Sequence, residues 1–181
     1  MDVKQLRRST ELTQKEFCSY YGIPLRTLQN WESEKNNQNS RSCPSYMLKL
    51  LEKAVRADFP HSGKLLDANI DSLHLLALKV AKDNIKKSPL APYVTDVLLY
   101  GSTARGTAKA SSDIDLLLVL DEKVKSEKHY TDWINYLKGN ISSSDFNVPE
   151  ADLHIAFGDA WRENSNAFFT NVTQEGFSIW N

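Results

Sequence analysis

Cysteine and long apolar runs are both scarce in this sequence of 181 residues. No apolar window approaches the roughly eighteen residues that a membrane-spanning helix needs, and the opening stretch MDVKQLRRSTEL lacks the apolar centre of a secretory signal. Cys18 and Cys43 are too few and too poorly spaced for a disulfide framework or a zinc site. We therefore expect a cytoplasmic protein with no membrane partner.

Glycine and proline are also sparse, with seven and six residues, as is typical of a folded globular protein. The length suits one ordinary domain with a small appended module. The net charge of −1 conceals an asymmetry: residues 1–58 contain ten Lys and Arg against seven Asp and Glu, and the remainder twelve against sixteen. The N-terminal excess is only three charges, and its sign favours contact with nucleic acid.

Helical and strand-like patterns divide the chain into two parts. The polar stretch 33–45 predicts a loop, and FPHSG at 59–63 predicts a linker, because proline and glycine interrupt regular structure. After it, strand patterns alternate with helical ones. We expect strands at 94–100, 113–120, 151–157 and 177–180, and helices at 65–87, 127–140 and 164–176, the last two closed by Gly139 and Gly176. The predicted organisation is an all-α domain at 1–58, a linker at 59–64 and an α/β (α+β) domain with a small mixed sheet at 65–181.

The segment LTQKEFCSYYGIPLRTLQNWE, residues 12–32, predicts two helices around a tight turn. Thr13 and Glu16 have the spacing of a capping box at the start of the first helix. Gly22 can adopt the positive φ that the turn needs, and Pro24 suits the first turn of the second helix.

A small residue at Cys18, then Gly22, Leu28 and Trp31, resembles the helix-turn-helix of the phage-repressor (Cro/C1-like, XRE) family, over about residues 3–55. In that family the second helix enters the DNA major groove. The resemblance implies that double-stranded DNA binds through residues 12–32. The side chains that would meet it are Arg26, Thr27, Gln29 and Asn30, whose types suit base and phosphate contacts. A polar helical module for docking or dimerisation is the alternative.

Two aspartates stand near the start of an apolar run in LLYGSTARGTAKASSDIDLLLVL, residues 98–120. Asp113 and Asp115 are two apart on a predicted strand, so their carboxylates point to one face. Side-by-side carboxylates suit Mg²⁺. Gly101-Ser102, between a strand and a helix, presents backbone N–H groups to a phosphate. Together these features point to phosphoryl or nucleotidyl transfer.

Gly101-Ser102, ten intervening residues and then Asp113-x-Asp115 resemble the signature of the polymerase-β-like nucleotidyltransferase superfamily. The Arg105-Gly106 pair resembles its minimal nucleotidyltransferase (MNT) branch in particular, and the resemblance covers about residues 65–181. It implies a nucleotidyltransferase fold with a third carboxylate, matched here by Asp152. His154, two residues further on, is expected to be a packed strand side chain.

The resemblance also implies a role for each residue. Asp113 and Asp115 would hold Mg²⁺ with the triphosphate of ATP, and Asp152 would complete a second Mg²⁺ site and favour deprotonation of the attacking hydroxyl. Gly101 and Ser102 would hold the β- and γ-phosphates. Arg105 would balance phosphate charge, with pairing to a surface carboxylate as the alternative.

Three functions are compatible with this organisation. The first is transfer of AMP to a protein hydroxyl, because MNT proteins of this size resemble antitoxins that modify a HEPN-type toxin, and antitoxins commonly bind their own promoter. The second is a transcription regulator whose nucleotidyltransferase domain binds nucleotide without turnover. The third is a small-molecule enzyme of the aminoglycoside-modifying kind, ranked last because the chain ends soon after the core. A two-fold dimer would suit DNA binding.

Overall fold

Residues 1–33 and 42–180 are described by the computed structural model of this chain, which separates into two units, Met1–Leu75 and Leu76–Asn181. Most of the loop predicted at 33–45 lies outside the described residues. The helices of the first unit are α1 (Val3–Ser9), α2 (Gln14–Tyr21), α3 (Leu25–Glu32), α4 (Ser45–Asp58) and α5 (Pro60–Asp67). A sixth helix, α6 (Ser72–Lys87), begins at the end of this unit.

The two helices predicted over residues 12–32 are confirmed as α2 and α3. The Thr13 hydroxyl accepts the Glu16 backbone N–H at 3.3 Å, and the Glu16 carboxylate accepts the Thr13 N–H at 2.7 Å. Gly22 ends α2 with a left-handed φ of 65°. Pro24 is the N-cap of α3, one residue before the position expected for it. Local residue chemistry therefore sets this turn.

A buried ion pair fixes the orientation of α3. Arg7 donates two hydrogen bonds to the Glu32 carboxylate, at 2.7 and 3.0 Å, and Gln14 donates a third at 2.9 Å. Burial opposes ionisation of Glu32, but the hydrogen bonds from Arg7 and Gln14 outweigh it and hold the pKa of Glu32 below its usual range. Because both charges are largely shielded from water, breaking one side of the pair would leave a buried charge unmatched.

The connection after α4 differs from the prediction. The segment 59–64, predicted as a linker, is helical from Pro60 onward, since proline at a first helical position sacrifices no hydrogen bond. The single helix predicted at 65–87 is two helices, α5 and α6. Asn69 interrupts them with a φ of 50°, a conformation that asparagine tolerates better than most residues. The domain boundaries at 58 and 65 stay predictions.

The second unit is built on a four-stranded mixed sheet. Its remaining elements are β1 (Val94–Tyr100), α7 (Gly101–Ala104), β2 (Ile114–Leu120), α8 (Tyr130–Asn140), β3 (Ala151–Phe157), α9 (Ala167–Glu175) and β4 (Phe177–Ser178). The strand order is β3-β2-β1-β4, with β2 and β3 parallel and the other neighbours antiparallel. This is the α+β fold with a small mixed sheet that the sequence predicts.

The predicted strands are confirmed at 94–100 and 151–157, and the one at 113–120 begins a residue later. The last strand is shorter than expected and ends at Ser178. Gly139 does not close a helix, because α8 continues through it to Asn140, whereas Gly176 does follow the end of α9.

The centre of the sheet is apolar on both faces. Leu116, Leu117 and Leu118 of β2 are fully buried, as expected for a strand covered on two sides. Asp115 is therefore the polar exception on β2, close to its first residue. None of the helices in the described ranges is both long and apolar enough to cross a bilayer.

Replacing Gly22 by alanine is expected to destabilise the first unit by about 1 kcal/mol, because alanine in the left-handed conformation brings Cβ against the carbonyl oxygen. Hydrogen exchange of the amides of α2 and α3 measures the loss. The matched control is Gly63→Ala, since an added Cβ in α5 has ample room and no positive φ to strain. If both variants exchange alike, the turn does not depend on the glycine conformation.

Candidate functional site

Three side chains form a row along one end of the second unit's sheet, where β1 ends and β2 and β3 begin. Antiparallel pairing of β1 and β2 sets Tyr100 opposite Asp115, and parallel pairing of β2 and β3 sets Asp115 opposite Asp152. Directly opposite residues on neighbouring strands share a face, so the phenol and the two carboxylates are side by side. Asp113 lies just before the first residue of β2. The row thus contains two of the three aspartates predicted from the sequence, and Asp113 lies two residues before Asp115, close enough for its charge to raise the pKa of Asp115.

The carboxylates of this row repel one another. Partial burial raises the pKa of Asp115, and the nearby charges of Asp152 and Asp113 raise it further. The pKa of Tyr100 is raised by burial and by the charges of Asp115, Asp152 and Glu175. Negative charge is therefore concentrated at the site, and the Glu175 carboxylate adds to the charge of the three aspartates.

Gly101 begins α7 at the end of β1 and lies directly against the row. Its φ is 72°, and a Cβ at this position would be only 2.0 Å from Oδ2 of Asp115. Glycine is thus needed both for the backbone conformation and for the space. The Thr103 hydroxyl of the same turn donates to the Asp113 carbonyl oxygen at 3.4 Å, which links the Gly-Ser turn to the approach to β2.

Glu175, the last residue of α9, binds the Gly-Ser turn from the other side. The Gly101 backbone N–H donates to Oε1 of Glu175 at 2.9 Å, and Arg105 forms an ion pair with Oε2. Two partners were open for Arg105, a phosphate group or a carboxylate. In the structure its partner is the carboxylate of Glu175, and contact with phosphate stays a prediction. Ser102 lies beside Gly101 in the same turn and is half-buried.

His154 stands at the edge of the row. Its Nδ1 is hydrogen-bonded to the Tyr100 hydroxyl at 3.1 Å and lies 3.7 Å from Oδ2 of Asp152. Its ring packs on Phe168 with 4.7 Å between centroids. His154 is thus packed against Phe168 on its strand, as expected from the sequence, although 44% of its side chain is exposed. One face of the imidazole contacts aromatic rings while its Nδ1 edge faces the site.

The donor set fits Mg²⁺, which prefers carboxylate oxygens, and a divalent cation would relieve the repulsion among the aspartates. Within residues 1–33 and 42–180, however, no three His, Cys, Asp or Glu side chains converge as a formed metal centre. Asp113, Asp115 and Asp152 as metal ligands therefore stay a prediction.

The residues predicted to contact DNA are on α3 of the first unit. Arg26 and Gln29 are exposed, while Thr27 and Asn30 are half-buried. The structure thus gathers the predicted residues into two sets, one on α3 and one around the Gly-Ser turn.

Two residues of the site escaped the sequence analysis. Tyr100 precedes Gly101 and could have been found by pairing the predicted strands, since the register puts it opposite Asp115. Glu175 is 74 residues from Gly101 and carries no local signal, because a glutamate near a helix end is an ordinary surface residue.

The second unit matches a known domain family in sequence. Residues 78–155 match the family model described as the nucleotidyltransferase domain, a stretch that includes the Gly-Ser turn and the three aspartates. A solved protein from Sulfolobus solfataricus, described as a "putative nucleotidyltransferase", resembles 65% of this chain over 87% of its own length, with 18% identity and a TM-score of 0.39. No curated protein sequence matches the chain. The domain match supports nucleotidyl transfer as the generic activity of the second unit.

Asp152→Asn is expected to stabilise the second unit at neutral pH in metal-free buffer. Because the pKa of Asp115 is raised in the folded state, its contribution to the free energy of unfolding is largest when the acid is protonated. That contribution is lost as the pH rises through the folded-state pKa. Removing the Asp152 charge reduces that loss, by up to about 1 kcal/mol for a partly exposed pair. Urea unfolding measured between about pH 4 and pH 8 should show the gain growing with pH.

The control for this measurement is Asp159→Asn, an exposed aspartate paired only with Arg162 among the contacts described. Its effect should stay within about 0.5 kcal/mol. A free energy of unfolding for Asp152→Asn that equals the wild-type value across the pH range would contradict the repulsion described above.

Proposed function

We propose that the second unit is a Mg²⁺-dependent nucleotidyltransferase that transfers AMP from ATP to a hydroxyl group of a protein. The observation that carries the proposal is the row in which Asp115 lies opposite Asp152 with the Gly101 turn directly against it. The domain match supports it, because nucleotidyltransferase domains generally use a nucleoside triphosphate and divalent metal ions.

In this proposal Asp113 and Asp115 would hold one Mg²⁺ and Asp152 would complete the site of a second. When bound, Mg²⁺ supplies charge stabilisation for the triphosphate and lowers the pKa of the attacking hydroxyl. The Gly101 N–H and the Ser102 hydroxyl would donate hydrogen bonds to the β- and γ-phosphates. Arg105 would pair with phosphate oxygens, for which a guanidinium is well suited.

The chemistry is an in-line displacement at the α-phosphorus. The acceptor hydroxyl oxygen forms the new bond, the bond from the α-phosphorus to the bridging oxygen breaks, and pyrophosphate leaves. Asp152 would orient the acceptor hydroxyl and receive its proton, as a carboxylate general base does.

A protein acceptor is favoured by the resemblance to MNT antitoxins, in which the partner is a HEPN-type toxin. The helical first unit suits such a protein, since an antitoxin that represses its own promoter needs a DNA-binding module. A nucleotide-binding regulator without turnover and a small-molecule transferase are the competing functions, and label transfer separates them.

Wild-type protein incubated with α-³²P-ATP and Mg²⁺ in lysate of the source cell should label a protein band. Asp113→Ala/Asp115→Ala should reduce the label by at least about a hundredfold, because the carboxylates that would hold Mg²⁺ for the triphosphate are lost. Asp159→Asn, which removes a carboxylate outside the row, should label like the wild type.

Each other outcome selects another function. The same assay is run with the other three nucleoside triphosphates. If none of the four gives any label although one of them binds tightly, the enzyme proposal is wrong and a nucleotide-responsive regulator remains. Label that appears only in small molecules contradicts the protein acceptor and favours the small-molecule transferase.

For the first unit we propose binding to double-stranded DNA through α3, with two copies of the chain reading a two-fold symmetric site. The support is the α2–Gly22–α3 arrangement, the fixed orientation of α3 and the outward Arg26 and Gln29. These side-chain types match guanine and adenine edges in the major groove.

Arg26→Ala should weaken binding to DNA from upstream of the chain's own gene by about tenfold, the loss of one bidentate base contact. Fluorescence anisotropy at fixed salt measures it. Lys53→Ala, at an exposed position of α4, removes the same charge away from α3 and should have little effect. Equal losses for both variants would point to non-specific charge attraction and contradict readout by α3.

A further inference from the structure

Both oxygens of the Glu175 carboxylate bind groups that would bind phosphate in the proposed function. Oε1 accepts the Gly101 backbone N–H at 2.9 Å, and Oε2 pairs with Arg105. These contacts come from α9, 74 residues further along the chain than Gly101. An anion supplied by the protein itself therefore occupies the Gly101 N–H and the Arg105 guanidinium.

Carboxylate and phosphate oxygens compete for the same donors. Arginine pairs with both groups through similar charge-assisted hydrogen bonds, and a backbone N–H can be bonded well by only one of them at a time. A triphosphate that binds Gly101 and Arg105 must therefore displace Glu175.

The position of Glu175 on its own helix makes it displaceable. It is the last residue of α9, where the unpaired carbonyl groups carry partial negative charge and disfavour an anion. Its stabilising contacts are thus the ones it makes with Gly101 and Arg105. The Arg105 side chain is 50% exposed and that of Glu175 21%, so exchange with a ligand needs no opening of the core.

Charge repulsion acts in the same direction. Glu175 raises the pKa of Tyr100 together with Asp115 and Asp152, so it lies within the same acidic field. An incoming triphosphate meets this fourth carboxylate in addition to the three aspartates.

We propose that Glu175 is an intramolecular competitor of the nucleotide's phosphate groups, which lowers the affinity of the site for a triphosphate until it is displaced. The proposal rests on the proposed function, since it takes the Gly-Ser turn as the triphosphate site. Glu175 is in this sense an affinity-determining residue and takes no part in the chemical step.

The test is the dissociation constant of two probes, ATP and inorganic tripolyphosphate, each with Mg²⁺, measured by titration calorimetry. Glu175→Gln keeps an acceptor for the Gly101 N–H but loses the charge that pairs with Arg105. Both probes should bind it about three- to tenfold more tightly than they bind the wild type, since a partly exposed ion pair and a like charge are removed. Glu163→Gln, an exposed carboxylate on the same unit, controls for net charge and should bind like the wild type.

A double-mutant cycle with Arg105→Ala examines the mechanism. If Glu175 acts through competition for Arg105, the gain from Glu175→Gln should shrink when Arg105 is already absent. Thermal unfolding of each variant establishes that it is folded. Glu175→Ala is the second variant at this position, and it removes the hydrogen-bond acceptor as well as the charge.

The outcomes separate the two proposals. Equal or weaker binding of both probes by Glu175→Gln, with a wild type that binds ATP, overturns the competitor and leaves the proposed function standing. Binding by neither wild type nor variant overturns both. Binding by the variant alone supports the competitor, and label transfer by that variant then decides the proposed function.

Discussion

Asp115 and Asp152 lie opposite each other on the parallel strands β2 and β3, and their carboxylates repel each other. The geometry of the candidate site follows from this pair. The register of β2 and β3 sets Asp115 directly opposite Asp152, and the same pairing continues through Leu116, Leu117 and Leu118, which are fully buried on the two covered faces of the sheet. The apolar core thus holds a pair of like charges together. Such a pair is unfavourable for folding, and in the proposed function the two carboxylates would be neutralised by the cations they hold.

The close approach of the Gly-Ser turn follows from the pairing of β1 with β2, which sets Tyr100, the residue before Gly101, opposite Asp115. Asp115 reaches so near to Gly101 that any side chain there would collide with its carboxylate. The backbone N–H of that turn is thereby brought beside the acidic row. In the proposed function the phosphate groups and the cations would therefore bind at one edge of the sheet, as phosphoryl chemistry with metal ions requires.

Strands and turns of this chain were predictable from the sequence where local chemistry decides them. β1 and β3 follow from apolar patterns, and the α2 boundary follows from the Thr13 and Glu16 capping box. The break between α5 and α6 was not predictable, because the helical spacing continues through it and one left-handed residue, Asn69, redirects the chain.

The site was predictable to the same extent. Asp113 and Asp115 follow from their spacing on a strand, and Asp152 from the family resemblance. Glu175 was not predictable, because its contact with Gly101 joins residues 74 apart in the chain and leaves no periodicity in the sequence. Contacts of that range depend on how α9 returns to the end of β1, which only the assembled unit fixes.

Charge balance links these features to the proposed chemistry. Asp113, Asp115, Asp152 and Glu175 all lie around the turn, and Arg105 is a cation paired there with one of them. A triphosphate brings several more negative charges to this surface, and its attraction to one guanidinium cannot offset repulsion from four carboxylates. Divalent cations held by the aspartates would reverse that balance, and release of Arg105 from Glu175 would add to it. The same excess of negative charge thus accounts for both the cations in the proposed function and the displaceable glutamate.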